Sequence, residues 1–87
     1  MPRIKTTVRI GGKDYTISSA DSEQYVRRVG SYVNRKIGEM STMLRLPADN
    51  STVATLTAVS IADELIKSQD EIQRLRKMLE TERTNRE

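Results

Sequence analysis

Apolar and polar positions alternate from Ile4 to Ile17. Ile4, Thr6, Val8 and Ile10 fall on one face, and Lys5, Thr7 and Arg9 on the other. That period of two marks a half-buried strand. Gly11-Gly12 then supplies two residues that accept the positive φ of a tight turn. Tyr15 and Ile17 resume the alternation, so the segment predicts a β-hairpin turning near Gly11 to Lys13. The polar run Ser18-Ser19-Ala20-Asp21-Ser22 follows, and Asp21 with Gln24 three positions on predicts a capping box.

The period then changes. Tyr25, Val26, Val29, Val33, Ile37, Met40 and Leu44 recur at three- and four-residue spacing, which predicts a helix. Its outer side is assigned to Arg27, Arg28, Asn34, Arg35 and Lys36. Gly30 and Gly38 each cost ~1 kcal/mol relative to alanine there, and are expected to admit another helix at close range. The helix ends before Pro47, because proline disfavours helical geometry in the preceding residue. Leu46 to Asn50 reads as the internal loop, with Asn50 or Ser51 capping a second helix.

That second helix, from about Thr52 into the low eighties, would span on the order of 45 Å at ~1.5 Å per residue. A head of this size has no use for such a length, so the distal half is expected to project. Ala54, Thr55, Thr57, Ala58, Ser60 and Ala62 keep its first half thin, as a helix buried among others would be. Near Leu65 it becomes a charged helix with one apolar stripe. Ala58, Leu65, Ile72 and Leu79 occupy one heptad core position; Ile61, Ser68, Leu75 and Glu82 occupy the other. Ile61, Leu65, Ile72, Leu75 and Leu79 are the expected oligomerisation residues. Val59, Ile66 and Met78 flank the seam, a width that suits contact with the head or pairing of two dimers. Asp63–Lys67 and Asp70–Arg74 are expected acid-to-base pairs on the outer surface. Thr81 to Glu87 lose the stripe and are expected to fray.

The predicted architecture is α+β: a small head of a β-hairpin plus helix, followed by a long C-terminal helix forming an intermolecular coiled coil. Residues 1–50 would make the hairpin and first helix, 51–64 the part of the long helix packed in the head, and 65–87 the coiled-coil segment. Composition favours a self-associating chain. At 87 residues, with no Phe or Trp and only three tyrosines, there is little material for a monomeric core.

Composition also removes most chemistry. Without cysteine there is no disulfide or thiolate, and without histidine the commonest general base and metal ligand is missing. Asp63-Glu64 and Asp70-Glu71 are adjacent on a helix and point ~100° apart, so neither pair converges on a substrate or metal. Gly11-Gly12 lacks the lysine-plus-hydroxyl sequel of a phosphate loop. No catalytic, metal or cofactor site is expected. No apolar run reaches the roughly 18–20 residues that cross a bilayer, and the N-terminus lacks a secretory core, so a cytoplasmic protein is expected. Among residues 1–20, Arg3, Lys5, Arg9 and Lys13 face only Asp14, which places the basic excess of the chain in the hairpin.

Several pieces then combine in order. Ile10-Gly11-Gly12-Lys13-Asp14-Tyr15-Thr16-Ile17, a helix with Val33-Asn34 in its second half, and Thr57-Ala58-Val59-Ser60-Ile61-Ala62-Asp63-Glu64-Leu65 together resemble the ZapA family of bacterial cell-division proteins. The resemblance covers about Ile4 to Leu79 and is sharpest at Ala62-Asp63-Glu64-Leu65. It implies a non-enzymatic protein that binds filaments of the tubulin-like GTPase FtsZ at midcell. Such proteins bundle the filaments to stabilise the division ring, as dimers that pair through their coils into tetramers with heads at both ends. The coil here is shorter than in the longer members, a departure that bears on the tetramer more than on the dimer.

On this resemblance, Lys13 at the turn and Arg9 on the exposed strand face are the charged FtsZ-binding candidates, with Thr16 and Ser51 beside them. Two other readings stay open. A ribbon-helix-helix DNA-binding dimer would use Lys5, Thr7 and Arg9 to read bases, although the double glycine and long coil do not suit it. A coiled-coil adaptor with an unrelated partner would show the same stripe and head.

Overall fold

The structure, a computed structural model, describes residues 2–44 and 49–86. Strands β1 (Ile4–Ile10) and β2 (Lys13–Ser19) form an antiparallel two-stranded sheet, with Thr6 opposite Ile17, Val8 opposite Tyr15 and Ile10 opposite Lys13. Gly11 and Gly12 connect them at φ 61° and 85°, the pair of positive values that matches the twist of a tight hairpin. The expected turn stands.

Helix α1 (Glu23–Met43) is capped by Ser22, whose Oγ accepts from the Tyr25 amide at 3.1 Å. The cap is therefore one residue later than the Asp21–Gln24 box. Asp21 is held instead in the preceding turn: its amide donates to Ser19 Oγ at 3.0 Å, and its carboxylate accepts from the same hydroxyl at 3.1 Å.

One face of α1 lies on β1. Val8 and Val26 are buried there, and a Cβ placed on Gly30 would lie 3.5 Å from the Val8 Cβ. The glycine thus admits a strand, where the sequence suggested a helix. Gly38 has nothing within 4 Å. Two residues assigned to the outer side do more than face water: Lys36 is buried, and Asn34, though exposed, is tied to the hairpin. Lys36 has its Nζ 3.0 Å from Glu39 Oε2, a carboxylate that remains half exposed. Asn34 reaches the hairpin: its Nδ2 donates to the Arg9 carbonyl at 2.7 Å, and its Oδ1 accepts from the Gly11 amide at 2.9 Å.

Helix α2 runs from Asn50 to Arg86. Its cap is Asp49, not Asn50 or Ser51. The Asp49 carboxylate accepts from the Thr52 amide at 2.7 Å, and its carbonyl accepts from Val53 N at 3.1 Å. Hydrogen bonding from Thr52 holds the Asp49 carboxyl below the usual carboxylate range. Of the expected loop, Leu46, Pro47 and Ala48 lie outside the described residues. Helix α2 continues to Arg86 where fraying from Thr81 was expected; the Thr81 and Thr84 hydroxyls donate to the Lys77 and Glu80 carbonyls. These hydroxyls bond one turn back to carbonyls of the same helix instead of pulling the chain out of it.

The chain divides into two compact units, Met1–Thr57 and Ala58–Glu87. Among the described residues of the first, the buried side chains are Thr6, Val8, Val26, Lys36 and Thr57. The Thr57 hydroxyl is satisfied by the Val53 carbonyl at 2.7 Å, whereas Thr6 Oγ1 is buried without a hydrogen-bond partner. The two buried valines among the described residues are a sparse core for a domain that folds alone.

Candidate functional site

Because residues paired across strands share a face, the register sorts the hairpin candidates. Arg9 lies opposite Asp14 and Thr7 opposite Thr16, all on the face turned away from the one that carries Thr6 and Val8. The Arg9 guanidinium is 3.4 Å from the Asp14 carboxylate, with both side chains well exposed, and the Thr7 and Thr16 hydroxyls are 3.1 Å apart. Arg9 and Thr16 therefore come together in one polar patch. Lys13 does not join them. It pairs with Ile10 at the end of the hairpin, on the side of Val8 and Tyr15, where its side chain is exposed. Ser51 sits exposed in the first turn of α2, on another element.

The residue that sequence reasoning missed is Asn34. Its side-chain amide bridges the Arg9 carbonyl near the end of β1 and the amide of the first glycine, so α1 fixes the hairpin tip from which Lys13 projects. The signal was present: a polar residue one position after the apolar Val33 and three before the apolar Ile37. Asn34→Ala is expected to loosen the tip at a cost of about 1–2 kcal/mol, since two backbone groups lose their partner where water replaces it in part. Faster amide exchange at Gly11, with exchange inside β2 and α1 little changed, would confirm that role.

In the second unit, Leu65, Ile66, Ile72, Leu75, Met78 and Leu79 are each about half exposed, and Ile61 is partly shielded. On a water-facing helix such a row is an unmet contact surface. The flanking charges pair along the helix. Lys67 Nζ is 3.0 Å from Asp63 Oδ2, as expected. Arg74 pairs with Glu71 and not with Asp70, making two hydrogen bonds across one turn, with Nε 3.0 Å from Oε2. That contact holds the Glu71 carboxyl below its usual range. A planar guanidinium gripping both carboxylate oxygens outcompetes a single-point contact one residue away.

Among the described residues no cluster of acidic groups is arranged to hold a metal, and no helix is long and apolar enough to cross a membrane. What the geometry offers is contact: a polar and basic hairpin, and an apolar row along α2.

Comparison with known proteins decides the family. The sequence profile of the family described as "Cell division protein ZapA" matches residues 6–87. The chain belongs to the ZapA family. Its relatives include the cell division protein ZapA of Geobacillus kaustophilus, 41% identical over 85 residues, covering 94% of this chain and 89% of the relative. The ZapA of Bacillus subtilis is 32% identical over 80 residues, covering 88% and 89%. Among solved structures, a ZapA mutant dimer from Geobacillus stearothermophilus is 41% identical, with a TM-score of 0.71 and 92% of each chain covered. The ZapA fold in that neighbour agrees with the hairpin followed by two helices, the second long.

Proposed function

We propose that this ZapA-family chain is a non-enzymatic, cytoplasmic division protein that binds FtsZ filaments at midcell and cross-links them through paired α2 helices. The observation that carries the reading is the exposed apolar row along α2, in a chain whose family is a cell-division family. An 87-residue chain with this much apolar surface left wet reaches a stable state by covering it with a second copy. The similar protein from Geobacillus stearothermophilus is a mutant dimer, which supports that step. In the proposed assembly, residues 1–50 form the head, 51–64 the part of α2 that serves it, and 65–87 the oligomerisation segment.

Charge placement supports a further pairing of dimers. Between residues 58 and 71 the acids Asp63, Glu64, Asp70 and Glu71 face one base, Lys67. Between residues 72 and 86 the bases Arg74, Arg76, Lys77, Arg83 and Arg86 face Glu80 and Glu82. Two coils laid side by side in opposite directions match the acidic half of one with the basic half of the other. Heads then lie at both ends, and two weak head contacts act together on a filament pair.

On the head, Lys13 at the tip is the leading charged contact, with Arg9, Thr16 and Ser51 as accessory candidates. Arg9 already has Asp14 across the strand, which lowers the charge it offers a partner. The ribbon-helix-helix alternative is disfavoured by the pairing of β1 with β2 of the same chain. The test is co-pelleting with FtsZ polymers formed in GTP. Wild type is expected in the pellet, and its absence there rejects the reading. Lys13→Glu is expected to reduce pelleting about tenfold in apparent affinity while leaving the oligomeric mass unchanged; equal pelleting removes Lys13 from the contact.

A further inference from the structure

On the side of α1 turned away from the hairpin, tyrosines and arginines alternate. Tyr25, Arg28, Tyr32 and Arg35 stand at i, i+3, i+7 and i+10, so their side chains form one row. Val26 and Gly30, buried at the hairpin, precede and follow Arg28 by two residues, which places them roughly opposite it around the helix. Tyr25 is 48% exposed, and both arginines are exposed. An open groove runs past Tyr25, Arg28, Val29 and Tyr32.

The charge of this row is not neutralised locally. The acids of α1 are Glu23 and Glu39. Glu23 Oε1 is 2.7 Å from an Arg27 nitrogen, and Glu39 is paired with Lys36. Arg28 has no carboxylate partner among the described residues. The Arg35 guanidinium lies 5.0 Å from the centre of the Tyr32 ring, a cation–π contact that holds it over the aromatic face while its edge stays available. The hairpin differs in this respect, because there Arg9 already faces Asp14.

We propose that the Tyr25–Arg28–Tyr32–Arg35 row is a docking surface for an acidic protein face. Guanidiniums, of which Arg35 is held over a ring, take carboxylates in forked pairs, and the tyrosines beside them supply apolar contact at low entropic cost. Nucleic acid suits the row less well, since α1 carries two acids and the net charge of the chain is only +3. The inference rests on the filament reading and adds a second head contact, on the opposite side of α1 from the hairpin.

The experiment compares wild type, Arg28→Glu/Arg35→Glu and Arg28→Lys/Arg35→Lys for co-pelleting with FtsZ polymers. Light-scattering mass and binding to a labelled DNA duplex are measured alongside. The glutamate pair is expected to lose about tenfold or more in apparent affinity with unchanged mass, and the lysine pair to recover only part, because an ammonium does not make the forked contact. Arg28→Ala/Arg35→Ala, which adds no new charge, is expected to fall between wild type and the glutamate pair. Wild type that fails to pellet rejects the filament reading itself. Wild type that pellets alongside equally competent glutamate and alanine pairs rejects the row alone. A fall in mass identifies the row as a contact between copies and overturns the proposal, as does duplex binding that is lost in the glutamate pair.

Discussion

Ile72→Glu is expected to dissociate the protein. Ile72 lies at the centre of the apolar row on α2, about half exposed in the single chain and flanked by Leu65 and Leu79 one heptad away on either side. In a paired coil this position faces its equivalent, so the substitution removes two apolar side chains and sets two carboxylates against each other in a desolvated seam. Breaking such a site costs several kcal/mol, and each 1.4 kcal/mol is about tenfold in association. A loss of at least about a hundredfold follows, enough for the light-scattering mass at micromolar concentration to fall to that of one chain. The substitution site is exposed in the isolated helix, so unpaired α2 tolerates it with little change in its own hydrogen bonding. An unaltered mass excludes this row as the interface.

Val8→Asp is expected to unfold the hairpin. Val8 is 6% exposed and stands against Gly30, whose missing side chain lets β1 approach α1 closely. A carboxylate there is forced into a site shaped for an apolar side chain, beside buried Thr6 and Val26 and the Gly30 backbone. Burial of an unpaired charge costs about 3 kcal/mol or more after relaxation. A domain with two buried valines has only a few kcal/mol of net stability to lose. Hydrogen exchange should show protection lost across Ile4–Ile10 and Lys13–Ser19 together. Protection retained in β1 would mean that the hairpin does not depend on its contact with α1.

The elements of this fold were legible because each follows a local rule. The alternation around Gly11-Gly12 specified both strands and their inner face, and the two positive φ values confirm why glycine stands twice. What the sequence hid depends on which of several similar residues wins a local competition. Asp21, Asn50 and Ser51 are all good caps in composition, yet Ser22 and Asp49 hold the positions three residues before the amides they accept. Asp70 and Glu71 are both within reach of Arg74, and the longer, forked contact wins. Lys36 and Asn34 read as outer residues because periodicity sorts side chains by type, whereas a buried lysine can be held by Glu39 one turn away and an exposed amide can reach a turn. The candidate site was legible only in part. Exposure of Arg9 followed from the alternation and that of Lys13 from its place at the turn, but their placement on opposite faces came from the register.

The central claim is that α2 pairing joins filaments that the heads bind. Its most direct test is light scattering of FtsZ polymers in GTP with wild type or Ile72→Glu, with the bound protein measured in the pellet. Wild type is expected to raise scattering steeply as filaments bundle. Ile72→Glu is expected to reach the pellet at raised concentration, through single heads, without that rise. A variant shown to be monomeric that bundles filaments as well as wild type does would contradict the account.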